Sequence, residues 1–260
     1  MTYRTKLSAY LFFAGFAGVL SFLLVDLGAL LAMMPAKDGA PLPVSPTVLK
    51  FVSLIQPTVL LALAVFAGVF LSPKVNLSAP AFEALARGDS FIAALKPQII
   101  PGAITGLIAA AVIVLTWILL RPILPVEFVT RAEAFNRLVP LPTRLLYGGV
   151  TEELLLRWGL LTLLVWAAWR IFQRGRRQPG AVCFGGAILI SSIVFGLGHL
   201  PVAVAIGGPL TLPVFAYVVI TNSVFGLTAG YLYWRKGLEA AITAHMLAHV
   251  GIVSAIYLGG

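Results

Sequence analysis

From Thr143 to Phe172 the chain reads TRLLYGGVTEELLLRWGLLTLLVWAAWRIF. The stretch is long and apolar enough to cross a bilayer, whose hydrocarbon core takes about 20 apolar residues per helix. Yet Glu152, Glu153 and Arg157 lie inside it. An ionisable side chain at the centre of a spanning helix costs roughly 2.5–3.5 kcal/mol on insertion scales, so its presence marks a functional candidate. One segment thus points both to lipid around the chain and to a polar site within it.

The rest of the sequence agrees about the solvent. Of its 260 residues 60% are hydrophobic and 10% are charged, whereas a soluble domain carries about 25% charged residues. Such a chain cannot cover a water-facing surface. Six further apolar runs, near 7–33, 47–71, 99–120, 182–200, 210–234 and 238–258, predict an all-α polytopic bundle of about seven spans, within a range of six to eight. The first run is too long for a signal-peptide core, and no A-x-A cleavage signal stands out after it, so it reads as a retained helix. A Pro-rich loop (35–46) follows it. Segments 72–97 and 121–142 alternate apolar and charged residues and read as amphipathic helices at the interface. No internal repeat and no soluble domain is visible. The expectation is one membrane domain over 1–260, with 143–258 as its catalytic core.

A net charge of +9 could suggest a nucleic-acid partner. The cations, however, fall mainly in short connections between apolar runs, where topology and anionic headgroups place them. Membrane lipid is the expected partner, and nucleic acid is not. With the N-terminus inside, the inner segments hold Arg4, Lys6, Lys74, Arg87, Lys96, Arg170, Arg174, Arg176, Arg177, Arg235 and Lys236. The outer ones hold Lys37, Lys50, Arg121, Arg131, Arg137 and Arg144. The bias favours a cytoplasmic N-terminus in a bacterial or archaeal plasma membrane, and it sets Glu152 and His199 in the outer half. The single Cys183 permits no intramolecular disulfide and makes a Cys-based metal site improbable.

Polar residues inside the predicted spans concentrate in the second half. Glu153 and Arg157 are four apart, on one helix face, with the acid on the favourable N-terminal side; a structural ion pair suits them. Glu152 lies about 100° round the helix, needs another partner, and suits a general base that activates water. All three histidines, His199, His245 and His249, fall within spans. His199 closes Phe195-Gly196-Leu197-Gly198-His199, whose glycines permit close helix approach. His245 and His249 share a face at i, i+4, as two metal ligands or two hydrogen-bond donors would. Asp26 stands alone in the first run as a packing or interfacial residue. Glu239 follows Arg235 and Lys236 and reads as their ion-pair partner at the interface.

No H-E-x-x-H helix and no G-x-S-x-G elbow occurs, so the commonest zinc-protease and serine-hydrolase signatures are absent. A Gly-x-Gly-Asp motif of the aspartyl intramembrane type is also missing. The motifs that are present resemble the CPBP family of intramembrane peptidases, which includes the CAAX prenyl endopeptidases of the Ras-converting type and bacterial bacteriocin-processing or immunity proteins. Its E-E-x-x-x-R motif is matched by Glu152 to Arg157, its F-x-x-x-H by Phe195 to His199, and its H-x-x-x-N/D begins at His245. In place of Asn or Asp the last motif ends in His249. Phe225 to Tyr233 also looks like the helix that precedes that motif. The resemblance spans about 145–250.

The resemblance implies hydrolysis of a peptide bond in a membrane-associated or prenylated peptide or protein. Glu152 would activate the water with His199 assisting. His245 and His249 would face the scissile carbonyl, while Glu153 and Arg157 would hold the site in shape. Family members are described both as glutamate-dependent and as metal-dependent, and Glu152, His199, His245 and His249 form a conceivable zinc set. An outer-half site and a cytosolic prenylated substrate do not agree, so the substrate class stays open. The competing readings are a non-catalytic immunity or scaffold protein and a proton-coupled transporter.

Overall fold

A computed structural model describes residues 1–33, 45–207 and 209–258. Most of the expected Pro-rich loop at 35–46 lies outside them. Among the described residues all regular structure is helical. Seven helices among the described residues are long and apolar enough to span a membrane: Tyr3–Leu24, Pro46–Lys74, Phe91–Ile123, Leu141–Phe172, Ala181–Gly207, Leu212–Lys236 and Leu238–Leu258. The chain is an integral membrane protein. Its outer faces keep large apolar side chains such as Phe66, Ile108 and Leu119 exposed, as lipid contact requires.

The first span comprises α1 (Tyr3–Leu20) and a 3-10 turn, Ser21–Leu24, after which α2 (Leu27–Met33) starts anew. A continuous helix over 7–33 is therefore not formed. Asp26 explains the restart, since its Oδ1 accepts the Ala29 N–H at 3.0 Å, as an N-cap does. The second span joins α3 (Pro46–Val52) to α4 (Ile55–Leu71), and α5 (Pro80–Arg87) follows. Of the segment 72–97 only α5 is a short helix of the expected kind. From Phe91 the chain already belongs to α6 (Phe91–Leu120), which Ser90 caps by accepting the Ala93 N–H. Pro97 and Pro101 sit within that helix. Between the third and fourth spans, α7 (Val126–Leu138) is the expected amphipathic helix of 121–142.

The fourth span opens with α8 (Leu141–Thr143), runs as a π-helix through Arg144–Glu152 and Leu154–Leu161, and returns to α geometry in α9 (Thr162–Phe172). Its wider i→i+5 coil is echoed by Thr151 and Thr162, whose hydroxyls donate to the carbonyls of Leu146 and Arg157, five residues back. π geometry is rare, and where it occurs it is frequently at functional sites. The polar segment is thus locally unlike an ordinary span.

The last three spans are α10 (Ala181–Gly198) with the short α11 (Leu200–Gly207), α12 (Leu212–Lys236) and α13 (Leu238–Leu258). Small residues set how they meet, because lipid gives helices no hydrophobic reason to associate and backbones must come close. On α6, Gly102 and Gly106 face Ala240 and Ala244 of α13; a Cβ on Gly102 would lie 2.7 Å from the Ala240 carbonyl. Gly196 sits against Val219 and Ser223, Gly226 against Ser192, and Gly230 against Ile188, which fixes α10 and α12 in antiparallel register. Gly198 faces open space, so only the first glycine of its motif makes the expected close approach.

Glu239 is buried and forms no salt bridge with Arg235 or Lys236 among the described residues. Its Oε1 instead accepts the Ala81 and Phe82 N–H groups at 2.8 and 3.0 Å. The interfacial ion pair is replaced by a cap on α5, because the turn at Gly237 folds Glu239 back beneath that helix. Beside it, Gln98 of α6 accepts the Ala240 N–H at 3.2 Å.

Candidate active site

Three rings from three spans form the floor of the polar cluster. Phe195 of α10, Phe225 of α12 and His245 of α13 meet with centroids 6.1 Å (Phe195–Phe225), 5.9 Å (Phe195–His245) and 4.3 Å (Phe225–His245) apart. The Arg157 guanidinium lies 5.0 Å from the Phe195 centroid and 5.8 Å from that of Phe225. Its Nη2 donates to the Gly226 carbonyl at 3.3 Å, and its Nε lies 3.1 Å from Glu153 Oε2. A cation 1% exposed is thereby met by a carboxylate, a carbonyl and two π faces.

Glu153, at 0% exposure, turns its other oxygen to His245, whose Nδ1 donates to Oε1 at 2.7 Å. An ionised carboxylate only accepts, so Nδ1 carries the ring proton. Nε2 then points the other way, 3.9 Å from Glu152 Oε2. Glu152 keeps 19% of its side chain exposed and makes no hydrogen bond among the described residues. The adjacent acids are thus divided: Glu153 gives one oxygen to the His245 hydrogen bond and the other to the Arg157 ion pair, and Glu152 is uncommitted.

His249 stacks on His245 with centroids 4.9 Å apart, and its Nδ1 is buried without a partner. Gly148 of the fourth span faces its Nε2, where any side chain would collide with the imidazole. His199 reaches the cluster through Phe195, edge to face at 4.7 Å. Its Nδ1 pairs with the Phe195 carbonyl at 2.8 Å; a carbonyl only accepts, so Nε2 is left with its lone pair. No hydrogen bond or ion pair joins His199 to Glu152.

The fold therefore brings Glu152, Glu153, Arg157, His245 and His249 into contact and places His199 one residue pair away. Asp26 stays outside, as expected. Among the described residues, no group of three or more His, Cys, Asp or Glu side chains is placed to hold a metal ion. Glu152, His199, His245 and His249 as they stand do not make a ligand set, and no step below runs through a metal. Gly148 and the Gly226 carbonyl were not singled out from the sequence. A paired glycine (Gly148-Gly149) one turn before two buried acids was the available signal for the first.

Residues 134–251 match the family model described as type II CAAX prenyl endopeptidase Rce1-like. Over this segment the chain is similar to that family. The family is one of proteases. The Rce1-like segment begins in α7 and ends in α13, so it holds every residue of the cluster and leaves α1 to α6 outside. No curated protein and no solved structure matches the chain.

Proposed function

We propose that the chain is an intramembrane endopeptidase that hydrolyses a peptide bond of a membrane-associated or prenylated peptide or protein, with Glu152 as general base. The observation that supports this most is the unequal use of two neighbouring acids. Glu153 is consumed by Arg157 and His245, and Glu152, partly exposed, has the freedom a base needs. A water between Glu152 and His199 would meet two acceptors, the carboxylate and the Nε2 lone pair. Both of its protons would be held, and its oxygen would be turned toward a carbonyl.

In this reading Glu152 takes the proton as the water attacks. His245 Nε2 lies near the same carboxylate, can take over the proton that Glu152 has accepted from the water, and is then a donor. It can then serve the oxyanion or the departing amine, while His249 faces the carbonyl beside it. Glu153 and Arg157 orient the His245 ring. With the N-terminus cytoplasmic, the site lies in the outer half of the membrane.

The test is cleavage of fluorogenic peptides, lipidated and plain, by the protein in proteoliposomes. Wild type should cleave members of the panel, and Glu152→Ala and His199→Ala should not. Unchanged activity in both variants removes the assigned site. Folded wild type that cleaves nothing favours a non-catalytic role for the cluster. Metal content of the purified protein, with His249→Asn beside it, decides the zinc question: bound zinc lost in the variant makes His249 a ligand.

A further inference from the structure

We infer that Asn222 of α12 is a further catalytic residue, an amide donor to the substrate carbonyl on the side of the Phe195–Phe225–His245 floor where His199 and His249 lie; this rests on the peptidase reading above. The argument begins with the triangle of Phe195, Phe225 and His245, whose rings touch at one depth. His199 follows Phe195 by four residues and His249 follows His245 by four, so each lies about 6 Å further along its helix. α12 runs antiparallel to both neighbours, as its glycine register on α10 and the turn at Gly237 require. Moving in the same direction along α12 therefore means going back in sequence. Three residues before Phe225, about 4.5 Å along the axis, stands Asn222.

Asn222 also shares the inward face of its helix. It is spaced i, i+3 to Phe225, whose ring meets His245, and i, i+4 to Gly226, whose carbonyl holds Arg157. It continues the buried stripe of Val214 and Val218 and is itself half-buried. A local helical bond, Nδ2 to the Val218 carbonyl at 2.8 Å, anchors the amide. One N–H is used by that bond, so the second N–H and the carbonyl oxygen remain available. No other hydrogen bond uses them among the described residues. Next to it, the Thr221 hydroxyl is buried with no partner, as is His249 Nδ1. Buried polar groups without partners are costly, and here two of them lie on the helices that carry Asn222 and His245. The backbone of an extended peptide, with its alternating carbonyl and N–H groups, is the ligand chemistry that would satisfy them.

The experiment compares wild type with Asn222→Leu, which keeps the volume, and Asn222→Asp, which keeps the shape but loses the N–H donors. Both are assayed on fluorogenic lipidated peptides in proteoliposomes, with thermal unfolding in detergent alongside. The expected result is kcat lower by about 10²–10³-fold in both variants, the size of losing one oxyanion donor, with KM within about threefold and the unfolding temperature unchanged. Wild-type kcat in Asn222→Leu assigns Asn222 to packing and overturns the inference while leaving the peptidase reading intact. A kcat loss that follows a fall in unfolding temperature likewise overturns it. Wild type inactive on the whole panel overturns the peptidase reading and this inference with it.

Discussion

Glu153 and Glu239 are 0% and 2% exposed, yet their surroundings have little in common. Glu239 accepts two backbone N–H groups of α5 and ties a short helix to the end of the bundle. Glu153 is bound by Arg157 of its own span and His245 of another, both ionisable, with a second acid next to it that is left uncommitted. Burial of an acid is common to both regions and distinguishes nothing. What distinguishes them is the partner: backbone amides tie a carboxylate to the scaffold, whereas an imidazole ties it to a ring whose second nitrogen faces the neighbouring acid. The comparison predicts catalytic consequences on one side and only structural ones on the other.

It is tested most severely at Glu152. Glu152→Gln should lower turnover of the peptide panel by about 10²–10⁴-fold, the usual worth of a general base, with no change in thermal unfolding. Turnover within tenfold of wild type would move the base elsewhere. Glu153→Ala comes next, because it strands the Arg157 guanidinium without its carboxylate. A cost of about 3–5 kcal/mol is expected for breaking a buried pair from one side, read as a shift in the denaturation midpoint. Glu153→Leu with Arg157→Leu should recover most of that stability and none of the activity, since the His245 ring then has nothing to orient it.

Much of this was legible in the chain because lipid punishes polar side chains. The seven spans and the residues Glu152, Glu153, Arg157, His199, His245 and His249 stand out for that reason alone. The Glu153–Arg157 pair followed from its spacing. The bond from His245 to Glu153 did not, because it depends on how α13 sits against the fourth span, and that is set by contacts such as Gly148 on His249 and Gly102 on Ala240. The break after Leu20 was hidden because both sides of it are equally apolar and only Asp26 marks the restart. Charges at Arg87, Asp89 and Lys96 concealed the start of α6, although Ser90 is an ordinary cap residue. π geometry between Arg144 and Leu161 has no period that a hydrophobic pattern reveals at this length.

A smaller effect sharpens the link between packing and site. Gly106→Leu would drive a side chain into the Ala244 backbone, next to His245. Overpacking of this kind costs about 1–3 kcal/mol. Because the displaced helix carries His245 and His249, kcat should fall along with the unfolding temperature, in contrast to Glu152→Gln, where the two separate.

The smallest effect belongs to Glu239. Replacing it by Ala removes the acceptor for the Ala81 and Phe82 N–H groups, and loss of a helix cap costs about 0.5–2 kcal/mol. α5 lies beside α1 and α6, at the end of α13 away from His249, so its loosening does not reach the His245 ring. The expected outcome is a modest drop in unfolding temperature with kcat and KM for the peptide panel unchanged. A turnover loss approaching that of Glu152→Gln would mean that the two buried acids are coupled along α13, through the single helical turn and a half that separates Glu239 from His245. The distinction between a structural and a chemical carboxylate would then fail at its quieter end, where an effect on chemistry is least expected.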